Sequence, residues 1–195
     1  MIISHKHKYI FIKTKKTAGS SLEHILMKYS DIGDVCSGNP KEGTPKQNTN
    51  LQMHISAAKI KKYYPLEWQS YFKFTIDRNP WDYYVSQFYW KMATKTRRAK
   101  RGFDKFVKDP KNRRINWHLY TINNTVIVDK VFKYETLHEE LLNQDLIPYN
   151  GELKNIKFKS DIRKNTSYRC MYNEETKEII RQHCKHMIDY LDYQF

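Results

Sequence analysis

The stretch FIKTKKTAGSSLEHIL, from Phe11 to Leu26, passes from an apolar run into a short polar segment and then into a helical pattern. The apolar run Tyr9–Lys13 predicts a buried strand. The spacing of the apolar residues after it predicts a helix over Ser20–Lys28, with Leu22, Ile25 and Leu26 on one face. A simple turn needs a glycine, but it does not need the lysines and hydroxyls that stand between these two elements.

A strand, a glycine-containing turn and a helix together form an anion-binding site, because the first backbone N–H groups of a helix have no partner within it. Gly19 would allow the backbone to approach a ligand closely, Ser20 and Ser21 would add hydroxyl donors, and Lys16 would add positive charge. The lysine precedes the glycine, so the segment is not a Walker A loop. A polar turn with a serine N-cap explains this stretch alone equally well.

A second segment, FTIDRNPWDYYVSQFYW, carries another pairing of a strand with a helix. We predict a strand over Tyr71–Ile76 and a helix over Pro80–Trp90, with proline in the first turn. Arg78 then lies at the carboxyl end of a strand, where open α/β sheets bind ligands. Ser86 follows about two helical turns later. The alternative is that Arg78 forms a structural ion pair with Asp77 or Asp82.

The rest of the chain continues the alternation of strands and helices. We predict a long loop over Asp31–Asn50, a helix over His54–Tyr63, a strand over Val126–Phe132, a helix over Thr136–Asn143 and a helix over Asn173–Tyr190. This order indicates one α/β domain spanning residues 1–195, with a central, mostly parallel sheet flanked by helices.

Composition narrows the class of protein. The formal charge of +14 favours an anionic partner, and the 14% of aromatic residues excludes a disordered chain. Three cysteines without CxxC spacing favour free thiols. No segment reaches 18 apolar residues, so we expect a soluble, cytoplasmic protein without a membrane span. No metal-ligand spacing is present.

The segments KTAGSS and RNPWDYYVSQFY resemble the two cofactor motifs of the sulfotransferase superfamily, which uses 3′-phosphoadenosine 5′-phosphosulfate (PAPS). The resemblance is greatest to the carbohydrate (Golgi) type and its small soluble relatives in bacteria and phages. The first motif resembles the 5′-phosphosulfate loop, with Lys15 in the place of the usual proline. The second resembles the 3′-phosphate motif and keeps the separation of eight residues between Arg78 and Ser86. The segments Lys130–Leu137 and Lys164–Phe195 also resemble parts of these proteins. A three-layer, P-loop-like fold is implied.

The resemblance also implies roles for individual residues. Lys16 would stabilise the bridging oxygen of the bond that breaks, and His54 would act as the general base, with Glu42 as the reserve candidate. An ordinary imidazole pKa of ~6.5 suits that role near neutral pH. The other reading of His54 is a helix-capping or surface residue. The residues expected to bind the cofactor are Lys16, Thr17, Ala18, Gly19, Ser20, Ser21, Arg78, Ser86, Tyr134 and Lys164. The product would be 3′,5′-adenosine bisphosphate, and no metal is required.

The acceptor stays open at this point, as does the oligomeric state. It would carry a hydroxyl or an amine, and an anionic glycan is one candidate because a basic run over Lys91–Lys105 could flank the acceptor cleft. A solvated face explains that run equally well. Three other classes compete: an ATP-dependent kinase, a basic nucleic-acid or polyanion-binding protein, and an inactive homologue that binds PAPS. We expect no nucleic-acid partner, because the cations of interest cluster at two strand ends.

Overall fold

The computed structural model describes residues 1–38, 46–95, 101–113, 115–155 and 167–195. Glu42, Lys164 and residues 96–100 of the basic run lie outside the described residues. The chain forms two compact units. The first consists of Met1–Asp77 and Asn116–Phe158, and the second of Arg78–Ile115 and Lys159–Phe195, apart from the gaps just given.

The first unit contains the strands. They are β1 (Ile2–Ser4), β2 (Tyr9–Ile12), β3 (Val35–Ser37), β4 (Lys46–Gln47), β5 (Phe72–Asp77), β6 (Thr121–Ile122), β7 (Thr125–Val126) and β8 (Lys130–Lys133). The order in the main sheet is β4-β3-β1-β2-β5-β8, and β6 and β7 form a separate hairpin. Strands β2, β5 and β8 are parallel, whereas β1, β3 and β4 extend the sheet through antiparallel pairs. The sheet is therefore mixed, and its parallel part begins with the strand that precedes the polar loop.

The helices are distributed over both units. Those of the first unit are α1 (Gly19–Met27), α2 (Ala57–Tyr63), α3 (Pro65–Ser70), α6 (Trp117–Tyr120) and α7 (Leu137–Leu142). Those of the second unit are α4 (Pro80–Ala93), α5 (Phe103–Lys108), α8 (Glu174–His183) and α9 (Lys185–Leu191).

The core of the first unit fixes α1 relative to the strands. Phe74 on β5 packs between Phe11 on β2 and Phe132 on β8, with ring centroids 5.2 Å and 5.6 Å away. Leu22 and Ile25 of α1 are fully buried in the same apolar cluster. Burial of such side chains is the main source of stability, so the loop between β2 and α1 is held at both ends.

In the second unit, the buried side of α4 is aromatic. Phe88 packs against Phe103 and Phe106 of α5, with ring centroids 5.3 Å and 5.5 Å away. Helix α8 begins with a capping box formed by Asn173 and Thr176.

The α/β class is confirmed, and the elements around the two motifs lie within a few residues of their predicted positions. The long loop predicted over Asp31–Asn50 was wrong in part, because β3 and β4 lie within it. These strands are three and two residues long, and they are specified by pairing with β1 and with each other rather than by local pattern. The helix predicted from His54 begins only at Ala57, so His54 precedes it.

Two further predicted elements are interrupted. The strand predicted over Val126–Phe132 is divided between β7 and β8, and Asp129 between them bonds to β5: its N–H donates to Lys73 O at 2.8 Å, and its carboxylate accepts from Lys73 N at 2.7 Å. The helix predicted over Asn173–Tyr190 is divided into α8 and α9 at Cys184, whose φ and ψ are −103° and 14°. The apolar period continues across that break, so the sequence pattern does not reveal it.

Candidate active site

In the loop between β2 and α1, the backbone φ angle alternates in sign from residue to residue. Lys16 and Ala18 have positive φ angles of 61° and 57°, whereas Thr17 and Gly19 do not. Alternation of this kind turns successive backbone N–H groups towards one concave side, an arrangement that binds anions. Residues with a Cβ rarely adopt positive φ, and such conformations are typical of functional loops.

Helix α1 begins without a side-chain cap. Its N-cap residue is Ala18, whose side chain makes no capping hydrogen bond. The alternative of a serine N-cap is therefore wrong, because Ser20 and Ser21 lie inside the first turn instead. The positive end of the helix and its first N–H groups form an arrangement that an anion would complete.

A close contact within the protein explains why position 19 is a glycine. A Cβ at this position would lie 3.0 Å from Lys13 Cγ and 3.2 Å from Thr14 O. The Lys13 side chain continues to Glu23, with 2.6 Å between Nζ and Oε2 and both side chains almost fully buried. Burial alone would raise the pKa of Glu23, but the ammonium of Lys13 and the amino group of Met1 together lower it. A buried ion pair thus lies directly under the loop.

The side chain of Thr17 belongs to the loop's internal bonding. The Thr14 hydroxyl donates its proton to Ile76 O of β5. In its contact with Thr17 Oγ1, at 2.8 Å, Thr14 Oγ1 is therefore the acceptor and Thr17 the donor. Thr17 is fully buried. Its hydroxyl bonds Thr14 of the same loop, and the Thr14 hydroxyl in turn bonds the neighbouring strand. The backbone N–H of Thr17, rather than its hydroxyl, is therefore the group suited to a ligand.

Sequence reasoning missed Asn116. Its side-chain amide bonds both backbone groups of Lys15: Oδ1 accepts from Lys15 N and Nδ2 donates to Lys15 O, each at 2.9 Å. The same Nδ2 donates to Asp77 Oδ1 at 3.2 Å. The two partners are 101 residues apart in the chain. No local pattern signals such a contact.

His54 lies against the start of the loop. Its Nδ1 is 2.9 Å from Lys13 O, and because a carbonyl only accepts, Nδ1 carries the proton and Nε2 carries the lone pair. The pKa of His54 is lowered to about 4, chiefly by burial and also by the charges of Lys13 and Lys15, while the hydrogen bond to Lys13 O acts in the opposite direction. The expectation of an ordinary pKa was therefore wrong, and so was the helix-capping alternative, because the N-cap of α2 is Ser56.

Tyr134 comes to the same edge of the sheet as the loop. In the parallel register, Ile12 pairs with Thr75 and Asp77 pairs with Lys133, so β2, β5 and β8 end side by side. Tyr134 follows β8 directly and packs against the apolar core with part of its ring exposed. The first unit therefore brings the loop, His54 and Tyr134 to one end of the parallel strands.

The second unit carries the other motif. Arg78 binds Asp82 Oδ2 through Nε at 2.7 Å and through Nη2 at 2.5 Å, and both side chains are largely buried. The ion pair with Asp82 that the sequence offered as an alternative is present. Asp82 and Ser86 are four residues apart on α4, so they share a face of that helix. Ser86 is partly exposed.

The described residues contain no helix long and apolar enough to cross a membrane. Within the same part of the chain, no group of three or more His, Cys, Asp or Glu side chains could hold a metal ion.

The first unit is thus an α/β structure in which a loop with alternating signs of φ precedes α1. A comparison with known protein families matches residues 1–192 to the Sulfotransferase family. The chain therefore belongs to the sulfotransferase family. No curated protein and no solved structure gives a significant match.

Proposed function

We propose that this protein transfers a sulfuryl group from PAPS to a hydroxyl or amine acceptor, and that its architecture is the three-layer, P-loop-like one of the superfamily. The observation that carries this proposal is the backbone of residues 16–19, where alternating φ signs precede a helix without a side-chain cap. Family membership over residues 1–192 supports the same activity.

The residues present fit the two phosphate-bearing ends of PAPS. Lys16, the backbone of Thr17, Ala18 and Gly19, and the serines at positions 20 and 21 would hold the 5′-phosphosulfate. Arg78 and Ser86 would hold the 3′-phosphate, since a guanidinium bonds phosphate oxygens in pairs. Tyr134 would contact the nucleotide, as would Lys164, which lies outside the described residues.

PAPS supplies an activated sulfuryl group whose departure leaves negative charge on a phosphate oxygen. The ammonium of Lys16 would stabilise that charge, and such preorganised electrostatic stabilisation is usually the largest contribution to catalysis. His54 Nε2 would accept the proton of the acceptor group, while the bond from Nδ1 to Lys13 O keeps the ring oriented. With a pKa of about 4, His54 is neutral and able to accept a proton at pH 7. Negative charge from a bound donor would raise that pKa and make the base stronger.

The acceptor would be a small molecule or a glycan that carries a free hydroxyl or amine. The net charge of +14 would favour an anionic glycan through electrostatic steering. We propose a single catalytic domain that requires no metal.

Isothermal titration calorimetry with 3′,5′-adenosine bisphosphate tests the proposal, with ADP as the control ligand because it lacks a 3′-phosphate. We expect the wild type to bind the bisphosphate at least about 10-fold more tightly than ADP, which corresponds to a difference of about 1.4 kcal/mol. Arg78→Ala should remove this preference. Arg101→Ala, which removes an exposed arginine of the second unit, should keep it.

Equal binding of both ligands would refute the PAPS site and favour a general polyanion binder. Transfer of radiolabelled sulfate from PAPS to a panel of acceptors then tests catalysis. Selective bisphosphate binding without any transfer would identify an inactive homologue.

A further inference from the structure

We infer that Asn116 is a positioning residue that holds the loop between β2 and α1 in the conformation suited to binding an anion. The inference rests on the proposed function only in naming a phosphosulfate as the loop's ligand. Asn116 lies in the segment before α6, far in sequence from the loop, and it has no place among the expected cofactor contacts.

The side chain of Asn116 bonds both backbone groups of one loop residue, Lys15. Asn116 Oδ1 accepts from Lys15 N and Asn116 Nδ2 donates to Lys15 O, each at 2.9 Å, so the side-chain amide pairs with the backbone as a neighbouring strand would. Lys15 precedes the first left-handed residue of the loop, Lys16. These two hydrogen bonds therefore fix the backbone directly before the residues whose φ angles alternate in sign.

The orientation of the Asn116 amide is fixed by its surroundings. Nδ2 also donates to Asp77 Oδ1 at 3.2 Å, and the other oxygen of Asp77 accepts from the Tyr120 hydroxyl at 2.5 Å. Asn116 and Asp77 are each only 1% exposed. Rotating the amide by half a turn would bring oxygen against oxygen and N–H against N–H, which is costly in a buried site.

The loop needs such support because two of its residues with a Cβ, Lys16 and Ala18, have positive φ. Sterically unfavourable conformations persist only where surrounding contacts hold them. Lys15 directly precedes the first of these residues, and the two hydrogen bonds between its backbone and Asn116 supply such a contact.

The test compares Asn116→Ala with Asn112→Ala. Asn112 is also buried, and both ends of its amide are also bonded: Nδ2 donates to Phe106 O at 2.8 Å and Oδ1 accepts from Lys91 Nζ at 2.7 Å, all within the second unit. Both variants lose comparable buried bonds, but only Asn116→Ala loses bonds to the loop.

Amide hydrogen exchange of the ligand-free protein is the first measurement. We expect Asn116→Ala to lower the protection of the Lys15–Ser21 amides at least about 10-fold while β2 and β5 stay protected, whereas Asn112→Ala leaves the loop unchanged. Calorimetry should then show at least about 10-fold weaker binding of 3′,5′-adenosine bisphosphate by Asn116→Ala only. Asn116→Asp conserves the volume and the acceptor for Lys15 N, but it places an oxygen against Lys15 O, so it should show the same local loss if the alanine variant does not fold.

Three outcomes are informative in different ways. Unchanged loop protection in folded Asn116→Ala or Asn116→Asp would overturn the inference. Loss of protection spread equally over the loop and the strands would also overturn it, since Asn116 would then serve general stability. Failure of the wild type to bind the bisphosphate would refute the proposed function, but the exchange measurement would still decide the role of Asn116.

Discussion

Helices α1 and α4 each follow a parallel strand and one of the two motifs, yet their first turns are completed in different ways. The N-cap residue of α1 is Ala18, which is left-handed and supplies no side-chain acceptor. The N-cap residue of α4 is Asn79, whose side chain accepts from Trp81 N at 3.1 Å, and Pro80 at the first helical position has no N–H to satisfy. The N-cap residue of α1 thus makes no side-chain hydrogen bond to the helix, whereas the N-cap residue of α4 does.

Under the proposed function, this difference indicates where each motif would obtain its affinity for anions. Around α1 the donors would be backbone groups, whose direction depends on a loop that contains two positive-φ residues. Before α4 the donor would be the side chain of Arg78, which Asp82 holds in place. Anion binding by the first motif should therefore depend most on the conformation of the loop, and anion binding by the second motif on the side chain of Arg78.

Lys16→Ala should give the largest effect, because Lys16 is the side chain of the first motif that acts on the breaking bond. We expect sulfuryl-transfer turnover to fall about 100- to 1,000-fold, as for loss of other groups that stabilise developing charge. The melting temperature should change little. The matched control is Lys15→Ala, since the Lys15 side chain is exposed and its bonds to Asn116 use only the backbone. Equal losses in both variants would contradict a specific role for Lys16.

His54→Gln should lower turnover about 100-fold without weakening bisphosphate binding, because general bases contribute at that scale to the chemical step. The lowered pKa of about 4 also sets the pH dependence of the wild type. Protonation at Nε2 removes the base, so kcat/KM should stay constant from neutral pH down to about pH 5 and fall as the pH passes through about 4. Titration of the His54 ring by NMR checks the same value. A midpoint near the ordinary pKa of ~6.5 would show that His54 is not buried as described.

Arg78→Lys should weaken binding of 3′,5′-adenosine bisphosphate about 10-fold, because an ammonium cannot replace the planar fork that bonds both Asp82 and a phosphate. Binding of ADP should be almost unchanged. Calorimetry measures both in the same preparation, so a general loss of stability would lower the two affinities together. Full retention of bisphosphate binding would remove the second motif from the cofactor site.

Substitutions at the two N-cap residues should change the free energy of unfolding in opposite directions. Ala18→Gly should stabilise the protein by about 0.5–1 kcal/mol, because glycine adopts the left-handed conformation without a steric penalty. Asn79→Ala should destabilise it by about 1 kcal/mol through loss of the cap. Urea denaturation midpoints measure both. Destabilisation by Ala18→Gly would mean that the alanine conformation carries no strain.

Much of the fold around the first motif followed from local pattern. The run Tyr9–Lys13 predicted β2 and the apolar spacing predicted α1, since periods of two and 3.6 residues are properties of short segments. Strands β3 and β4 were missed because they are short and polar in part, and they exist through pairing with distant strands. The break at Cys184 was missed because both helices continue one apolar period.

The candidate site was predictable to a similar degree. The positions of Lys16 and Gly19 in the loop and of Arg78 after β5 agree with the sequence prediction. The structure adds a reason for Gly19 that the sequence did not suggest, namely the close approach of Lys13 and of the Thr14 carbonyl, while its expected contact with a ligand stays a prediction. The pairing of Arg78 with Asp82 was offered by the sequence as an alternative to phosphate binding, and the structure shows that this ion pair is present, while phosphate binding by Arg78 stays a prediction.

The sequence by itself determined the order of strand, loop and helix and the family to which the chain belongs, because both depend on residues that are close together in the chain. Tertiary structure alone decided what holds the loop and how its neighbours ionise. Asn116 reaches Lys15 across 101 residues, and the pKa of His54 falls through burial against Lys13. Hydrogen bonds and desolvation depend on distances in space, and no regular spacing in the sequence encodes them.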